Sequence, residues 1–549
     1  MFAQTAVSPN SVLLQTLQSE LDRAMALLAK ADPAPYFISY SANDDASAVI
    51  VASNGALVAN VDRRDRSVDV SVRVGSRSLD NTHGENRFHS VTTTQLPQDD
   101  KADAIARVLW LNTDRMYKKA AQSYLEVKTN TKVRAEEEDS SPDFTSEKAQ
   151  VFTGKLTATP TFNHREWEDR VRRLSAIFNK YPDIERSNVI LIVNDNKRYF
   201  VSSEGSKIVD GHPLIRVLAL GSARSTDGMD LARSETFDAS SFDKLVPEQV
   251  MAAKIEKIAQ DLQALKKAPI VEPFNGPALL SGRAAAVFFH EVVGHRLEGQ
   301  RQRGENEGQT FTKMVGQPVL PTFLSVEDDP TLPALSGTEL SGNYGYDEEG
   351  SKSQRVELIS NGILKQFLMS RMPVKGFEHS NGHGRAQDGM MPVGRQGNLI
   401  VKSTKSIPDS QLRQALIDEA KKQGKPFGLY FEDIAGGFTL TTRNMPQAFQ
   451  VMPLMVWKVY SDGRPDELVR GVDIIGTPLN ALNRIILTGQ KVDVFNGECG
   501  AESGSVPVSA AAPAMLFSEI EVQKVAQGHD RPPVLPPPGV DAGAKKEVR

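Results

Sequence analysis

Leu14, Leu17, Leu21, Met25 and Leu28 recur at three- and four-residue spacing between positions 11 and 30, which predicts one amphipathic helix. Runs with strand character follow at 36–40, 48–52 and 68–74, with Asn54-Gly55 as the turn between the last two. A second long helix is expected over 101–125. The layout then recurs: a helix over 166–180, strands at 189–193 and 198–202 joined by Asn194-Asp195-Asn196, a strand at 214–220, and a closing helix over 247–267. Ser53-Asn54-Gly55 and Ser203-Glu204-Gly205 hold similar places, as do Val74-Gly75-Ser76 and Leu220-Gly221-Ser222, so a weak internal repeat of helix–sheet–helix units is expected.

After Pro269 the pattern changes. Helices are expected only around 281–299, at 409–422 and at 479–487. Between them lie glycine-rich, strand-like runs at 353–368, 428–434, 438–442, 448–460 and 468–475. The expected fold is therefore α+β: an N-terminal α/β domain over 1–270, then a mainly antiparallel β domain over 271–525 that carries one motif-bearing helix. Residues 135–150, with Glu136-Glu137-Glu138-Asp139, read as a solvated acidic loop. Residues 526–549, with Pro532-Pro533 and Pro536-Pro537-Pro538, read as a disordered tail.

At 549 residues the chain has room for two or three sizeable cores, and 40% hydrophobic with 24% charged residues is ordinary for a globular protein. A net charge of −5 argues against nucleic-acid binding through a broad basic face. No apolar run approaches the roughly 20 residues needed to span a bilayer. Cys499 is the only cysteine, which excludes an intramolecular disulfide and fits a reducing, cytoplasmic setting. The alternative is a periplasmic or exported protein with an upstream start, because Phe2-Ala3-Gln4-Thr5-Ala6 looks like the small-residue end of a signal sequence.

The chemistry concentrates at His290-Glu291-Val292-Val293-Gly294-His295. Neutral imidazoles bind Zn²⁺ well, and a neighbouring carboxylate can take a proton from water that the metal polarises. The spacing is HExxxH, one residue longer than the HExxH of ordinary zincins. On a regular helix residues i and i+5 lie roughly 140° apart, so both imidazoles can reach one ion only if the helix end is distorted. Either a π-bulge or unwinding near Gly294 would do this. Catalytic zinc takes three protein ligands plus an open position. Glu298, three residues beyond His295, and Cys499, in a glycine-rich loop, are both candidates for the third.

A wider set of motifs sharpens this reading. Phe289–Gly299 is followed by Gly345-Tyr346-Asp347-Glu348-Glu349-Gly350, Ser360-Asn361-Gly362-Ile363-Leu364-Lys365 and Asn381-Gly382-His383-Gly384-Arg385. Gly436-Gly437, Val469-Arg470-Gly471, Cys499-Gly500 and Gly504-Ser505-Val506-Pro507-Val508 come after them. Across about 275–522 this series resembles the TldD/PmbA family, long labelled modulators of DNA gyrase; the first 270 residues match only in general layout. The resemblance implies a zinc-dependent peptidase of unfolded or peptide substrates, with His290, His295 and Cys499 as ligands and Glu291 as general base. It makes Glu298 better read as orienting a ligand or Arg296 than as a ligand itself. It also implies a homodimer or a heterodimer with a related subunit, no direct nucleic-acid contact and no membrane association. The alternative is a metal-free partner subunit or peptide-binding regulator of such a complex. Gly436-Gly437 is a candidate edge for an extended substrate. His379, His383 and Arg385 are read as a polar loop, with lining the cleft or binding a substrate carboxylate as the alternative, and residues 346–349 as a solvated turn, with holding a cation as the alternative.

Overall fold

The structure, a computed structural model, describes residues 11–84, 90–131, 140–154, 160–303, 307–442 and 448–525, together with 533, 535 and 537. The signal-like residues 2–6, the acidic positions 135–139 and almost all of the proline-rich tail lie outside these.

Helix α1 (Val12–Leu28) begins where Ser11 accepts a hydrogen bond from the Leu14 amide and so satisfies one of the free donors of the first turn. It leads into β1 (Pro35–Ser53) and β2 (Ala56–Val74), which pair antiparallel along their whole length. The turn between them places Asn54 and Gly55 at φ 49° and 85°, the left-handed pair that matches hairpin twist. Short β3 (Val91–Gln95) and α2 (Ala102–Thr131) follow. After β4 (Val151–Thr153), the order helix, three strands, helix occurs again: α3 (His164–Ser175), β5 (Arg186–Ser202), β6 (Lys207–Arg224), β7 (Asp230–Ala239) and α4 (Glu248–Lys267). All seven strands form one sheet in which β1 and β5 are the central antiparallel pair.

The helices cover one face of this sheet. Ile38, Tyr40 and Ala42 pack with α1 and α2, and Ile50, Ala52 and Leu191 pack with α3 and α4. The opposite face is polar along its middle, with Asn43 and Asp45 of β1 beside Asn196 and Arg198 of β5. This overturns one expectation. Asn194-Asp195-Asn196 does not turn the chain; it lies mid-strand, with Asp45 opposite Asn196 and Ser47 opposite Asn194. Likewise 36–40 and 48–52 belong to a single strand.

In the C-terminal half, β8 (Phe274–Leu280) enters α5 (Gly282–Val292), which bears the motif. The remaining long elements are β9 (Leu324–Asp328), β10 (Val356–Ser360), β11 (Asn398–Ser403), α6 (Asp409–Lys422), β12 (Phe427–Thr439), β13 (Phe449–Tyr460), β14 (Val472–Gly476), β15 (Ile485–Ala501) and β16 (Gly504–Lys524). With two short strands, Ile363–Leu364 and Glu467–Val469, strands β8 to β16 form an eleven-stranded sheet, antiparallel except for the β8–β12 and β11–β16 pairs. The fold is thus mixed α+β, with a mainly β C-terminal domain. Strands β16, β14, β13, β12 and β8 pair in sequence and β8 returns to β16, so this part of the sheet closes on itself. Helix α5 lies against β12, β15 and β16, and Phe288 meets Phe449 and Phe517 edge-on at 5.4 Å each.

Two details differ from the sequence reading here. The helix expected over 479–487 spans only Pro478–Leu482, because Ile485 opens β15 opposite Phe517 in the core. Residues 428–434 and 438–439 belong to one strand, β12, bent by register shifts between Phe431 and Gly436. No helix among the described residues is long and apolar enough to cross a membrane.

Candidate metal centre

Helix α5 presents His290 and Glu291 from its last turn. The α-helix stops at Val292, and Gly294–Leu297 continues as a 3₁₀ turn, with the Arg296 and Leu297 amides both donating to the Val293 carbonyl. This tightening after the helix swings His295 to the side that His290 occupies; the two rings meet edge-on, 5.0 Å between centroids. Gly294 is required by contact rather than by backbone freedom. A Cβ there would overlap the amide of Gln396, whose Nε2 donates to the His290 carbonyl.

The third partner comes from the β15–β16 ribbon. Cys499 Sγ lies 3.2 Å from His290 Nε2 and 3.4 Å from His295 Nε2, and all three side chains are buried. The three ligand atoms fall within 4.8 Å of one another. In tetrahedral zinc sites, bond lengths near 2.0–2.3 Å separate neighbouring N and S ligands by roughly 3.5 Å, so the spacing fits one such ion. The donor set agrees, since thiolate with imidazole favours zinc over magnesium or calcium. Burial alone would push the Cys499 thiol up, but His295 and His290 outweigh it and hold the thiol well below its ordinary value.

Glu298 occupies the far side of His295. Its Oε1 is 3.1 Å from His295 Nδ1, and its Oε2 accepts from Arg301 Nε at 2.8 Å. Oε1 thus meets the ring edge opposite Cys499 while Arg301 holds Oε2, which is the geometry of an orienting carboxylate. Burial would raise Glu298, yet His295 and Arg301 dominate and hold it at about 2. Glu291 Oε2 stands 4.0 Å from His295 Nε2. Gly437 of β12 lies directly over Glu291, close enough that a Cβ would strike its Cγ.

One contributing residue, Arg395, escaped the sequence reading, and another, Arg296, was named there only as an alternative partner of Glu298. Arg395, fully buried, donates to the carbonyls of Cys499 (2.6 Å) and Gly504 (3.0 Å), and its Nε lies 3.4 Å from Glu298. It therefore joins the ribbon holding the sulfur to the carboxylate holding His295. Arg296 donates only to carbonyls, those of Glu291, Val292, Leu440 and Ala448, and so pins the helix end to β12 and β13. No local signal marks Arg395, because its partners lie far away in sequence; of the carbonyls that Arg296 meets, two belong to the helix end beside it and two are distant.

Two polar motifs land elsewhere. Residues 346–349 are not a solvated turn: Asp347 is fully buried, and its Oδ1 accepts from the Glu349 and Ser351 amides. His383 is buried against Asp328 while His379 is exposed; Arg385 is buried, stacked over Tyr344 at 4.5 Å.

Residues 274–524 match the PmbA/TldA metallopeptidase C-terminal domain family. The chain is similar to a metalloprotease of Methanocaldococcus jannaschii, 25% identical over 57% of this chain and 64% of that protein. It is also similar to the metalloprotease TldD homologue of Haemophilus influenzae, 26% identical over 59% and 64%. A zinc metalloprotease TldD homologue of Saccharolobus solfataricus is 25% identical over 51% of this chain and 58% of its own length. The chain thus spans less than two thirds of each of these relatives. Among solved structures, a Thermotoga maritima protein described as a modulator of a DNA gyrase superposes with TM-score 0.60, 16% identity and coverage of 92% of this chain and 99% of that one. TldE of Thermococcus kodakarensis superposes with TM-score 0.59 and 13% identity, covering 92% and 100%. These two share the fold.

Proposed function

From the match of residues 274–524 to the PmbA/TldA metallopeptidase C-terminal domain, we propose that this chain is a TldD/PmbA-type zinc-dependent peptidase acting on unfolded or peptide chains. The observation that carries the proposal is the meeting of His290, His295 and Cys499 within coordinating distance of one ion, with a buried carboxylate, Glu291, beside them. The names of the metalloprotease relatives support the same class of chemistry.

In this mechanism His290, His295 and Cys499 hold zinc, and Glu298 fixes the His295 ring through Nδ1 so that Nε2 remains for the metal. Zinc, when bound, supplies a Lewis acid that polarises the scissile carbonyl and acidifies water. Glu291 takes a proton from the attacking water and returns it to the leaving amine. The substrate lies extended along β12. Beyond Phe431 this strand pairs only with β13 among the described residues, which leaves backbone groups of its other edge for a bound chain. Gly437, packed on Glu291, brings that edge to the base.

Assembly as a homodimer or with a related subunit is part of the same proposal, and the fold shared with TldE makes a subunit of like fold the natural partner to test. A non-catalytic partner or peptide-binding regulator is the second reading. It has no use for the imidazole and thiolate set, so one zinc per chain in the purified protein favours the peptidase.

The direct test is digestion of an unstructured protein by wild type and by Glu291→Gln. The variant should keep its zinc and lose turnover by about a thousandfold, within the 10²–10⁴-fold range of general acid–base catalysis. Equal turnover removes Glu291 from the mechanism; a metal-free, inactive wild type removes the peptidase reading.

A further inference from the structure

A cavity of about 670 Å³ lies between the polar face of the N-terminal sheet and the C-terminal domain. It is large enough for a small ligand or a few residues of a peptide. His290, His295 and Cys499 are not in its walls, but Glu498 and Val506 are, and Val506 pairs with Cys499 across the β15–β16 ribbon. The cavity therefore adjoins the proposed metal centre.

Its walls are unevenly charged. Asp45, Asp69, Glu348, Glu349 and Asp388 line it, and none of them forms an ion pair among the described residues. The guanidinium groups nearby are committed: Arg73 to Asp80 at 2.9 Å, and Arg198 to Asp210 at 2.7 Å. Burial, the largest cause in each case, pushes Asp45 and Asp69 up to about 6, as expected of desolvated carboxyls without a counter-cation, and lifts Glu349 to about 7 against the opposing pull of Arg371 and Arg73. Two wall oxygens, Asp69 Oδ1 and Glu348 Oε2, are buried and receive no hydrogen bond. A complementary deficit lies beside them. Arg385, 4% exposed, spends Nη1 on the carbonyls of Gln396 and Pro507, while its Nε is buried with no acceptor. Asn196 donates to Asp45, the Gly389 amide to the other Asp69 oxygen and the Arg371 amide to Glu349, so the deficit is confined to one oxygen each of Asp69 and Glu348 and to the Arg385 Nε, and native proteins seldom leave such buried groups unsatisfied.

A peptide bearing a basic side chain supplies both, an ammonium or guanidinium for the carboxylates and a backbone carbonyl for Arg385. We propose that this cavity is a subsite for a lysine or arginine side chain of the bound peptide, and that the protein selects basic segments. The inference rests on the peptidase reading for its substrate, but binding can be measured without hydrolysis.

The test uses the full-length Glu291→Gln protein and two fluorescent unstructured peptides, identical except that a central Lys-Arg pair is replaced by Gln-Gln. Fluorescence anisotropy at low salt should give about tenfold tighter binding of the basic peptide, a difference that shrinks as salt rises. Adding Glu348→Gln or Asp69→Asn should bring the two peptides close to equal affinity by weakening only the basic one. Equal affinities at the outset, or a preference unchanged in both variants, would overturn the subsite. If the variants do not fold, the melting temperature of Glu291→Gln decides: a larger rise with the basic peptide supports the subsite, and equal rises reject it. Cleavage of the Gln-Gln peptide by the unsubstituted protein reports on the peptidase reading separately.

Discussion

Cys499 shows how much one side chain can carry: its sulfur stands 3.2 and 3.4 Å from two imidazole nitrogens, so under the proposed function Cys499→Ala takes one of three anchors from the zinc site. Zinc affinity in that variant, read by competition with a chromogenic chelator, should fall by more than about a hundredfold, beyond the 10–100-fold typical of partners behind the ligands. Glu298→Gln tests that lesser class and should lose about 10–100-fold while binding one zinc. An unchanged affinity for Cys499→Ala would return the third position to Glu298. Asp69 tests the electrostatics instead. Its folded-state value near 6 lies above the ordinary 3.8, so the stability linked to its proton is full below about 3.8 and lost as pH rises through 6. Asp69→Asn removes that loss. Denaturant titration should therefore find the variant more stable by about 1–2 kcal/mol at pH 7.5, after discounting for partial exposure, with the gain gone by pH 4.

At the scale of elements, the informative one is the end of α5. The HExxxH spacing already required a distorted helix end, and the 3₁₀ turn after Val292 is such a distortion. What spacing did not reveal was its cause. Gly294 was expected for conformational tolerance, whereas the structure has Gln396 filling the space a side chain would need. Gly294→Ala should then act through overpacking, costing about 1–3 kcal/mol, and should weaken zinc binding because His295 follows directly. A variant that binds zinc like wild type would mean Gln396 moves aside freely. The same lesson applies in reverse to Asn194-Asp195-Asn196. Turn-prone residues are held mid-strand because the face they present borders a polar cavity rather than an apolar core.

For the whole molecule, zinc should couple to stability unevenly. A ligand at a hundred times its Kd adds about 2.7 kcal/mol to the state that binds it. The three side chains proposed as ligands all belong to the C-terminal half, on α5, the turn after it and β15. Chelation should lower the melting temperature, and hydrogen exchange should speed up around 282–303 and 496–508 while β1 and β2 keep their protection. Uniform acceleration across both halves would argue against a site confined to one of them.

The chain's periodicities determined where most helices lie and the α+β class, because apolar spacing reports which face of a segment is buried. The motif determined two imidazoles and a carboxylate next to one another, since these are neighbours in sequence. Only the tertiary structure decided that the thiol some 200 positions later meets them, that Glu298 meets His295 at Nδ1, the ring nitrogen turned away from the sulfur, and that Arg395 joins the two. Those relations depend on strands of distant origin closing against one helix, and no local pattern encodes a distance between residues that touch only after folding.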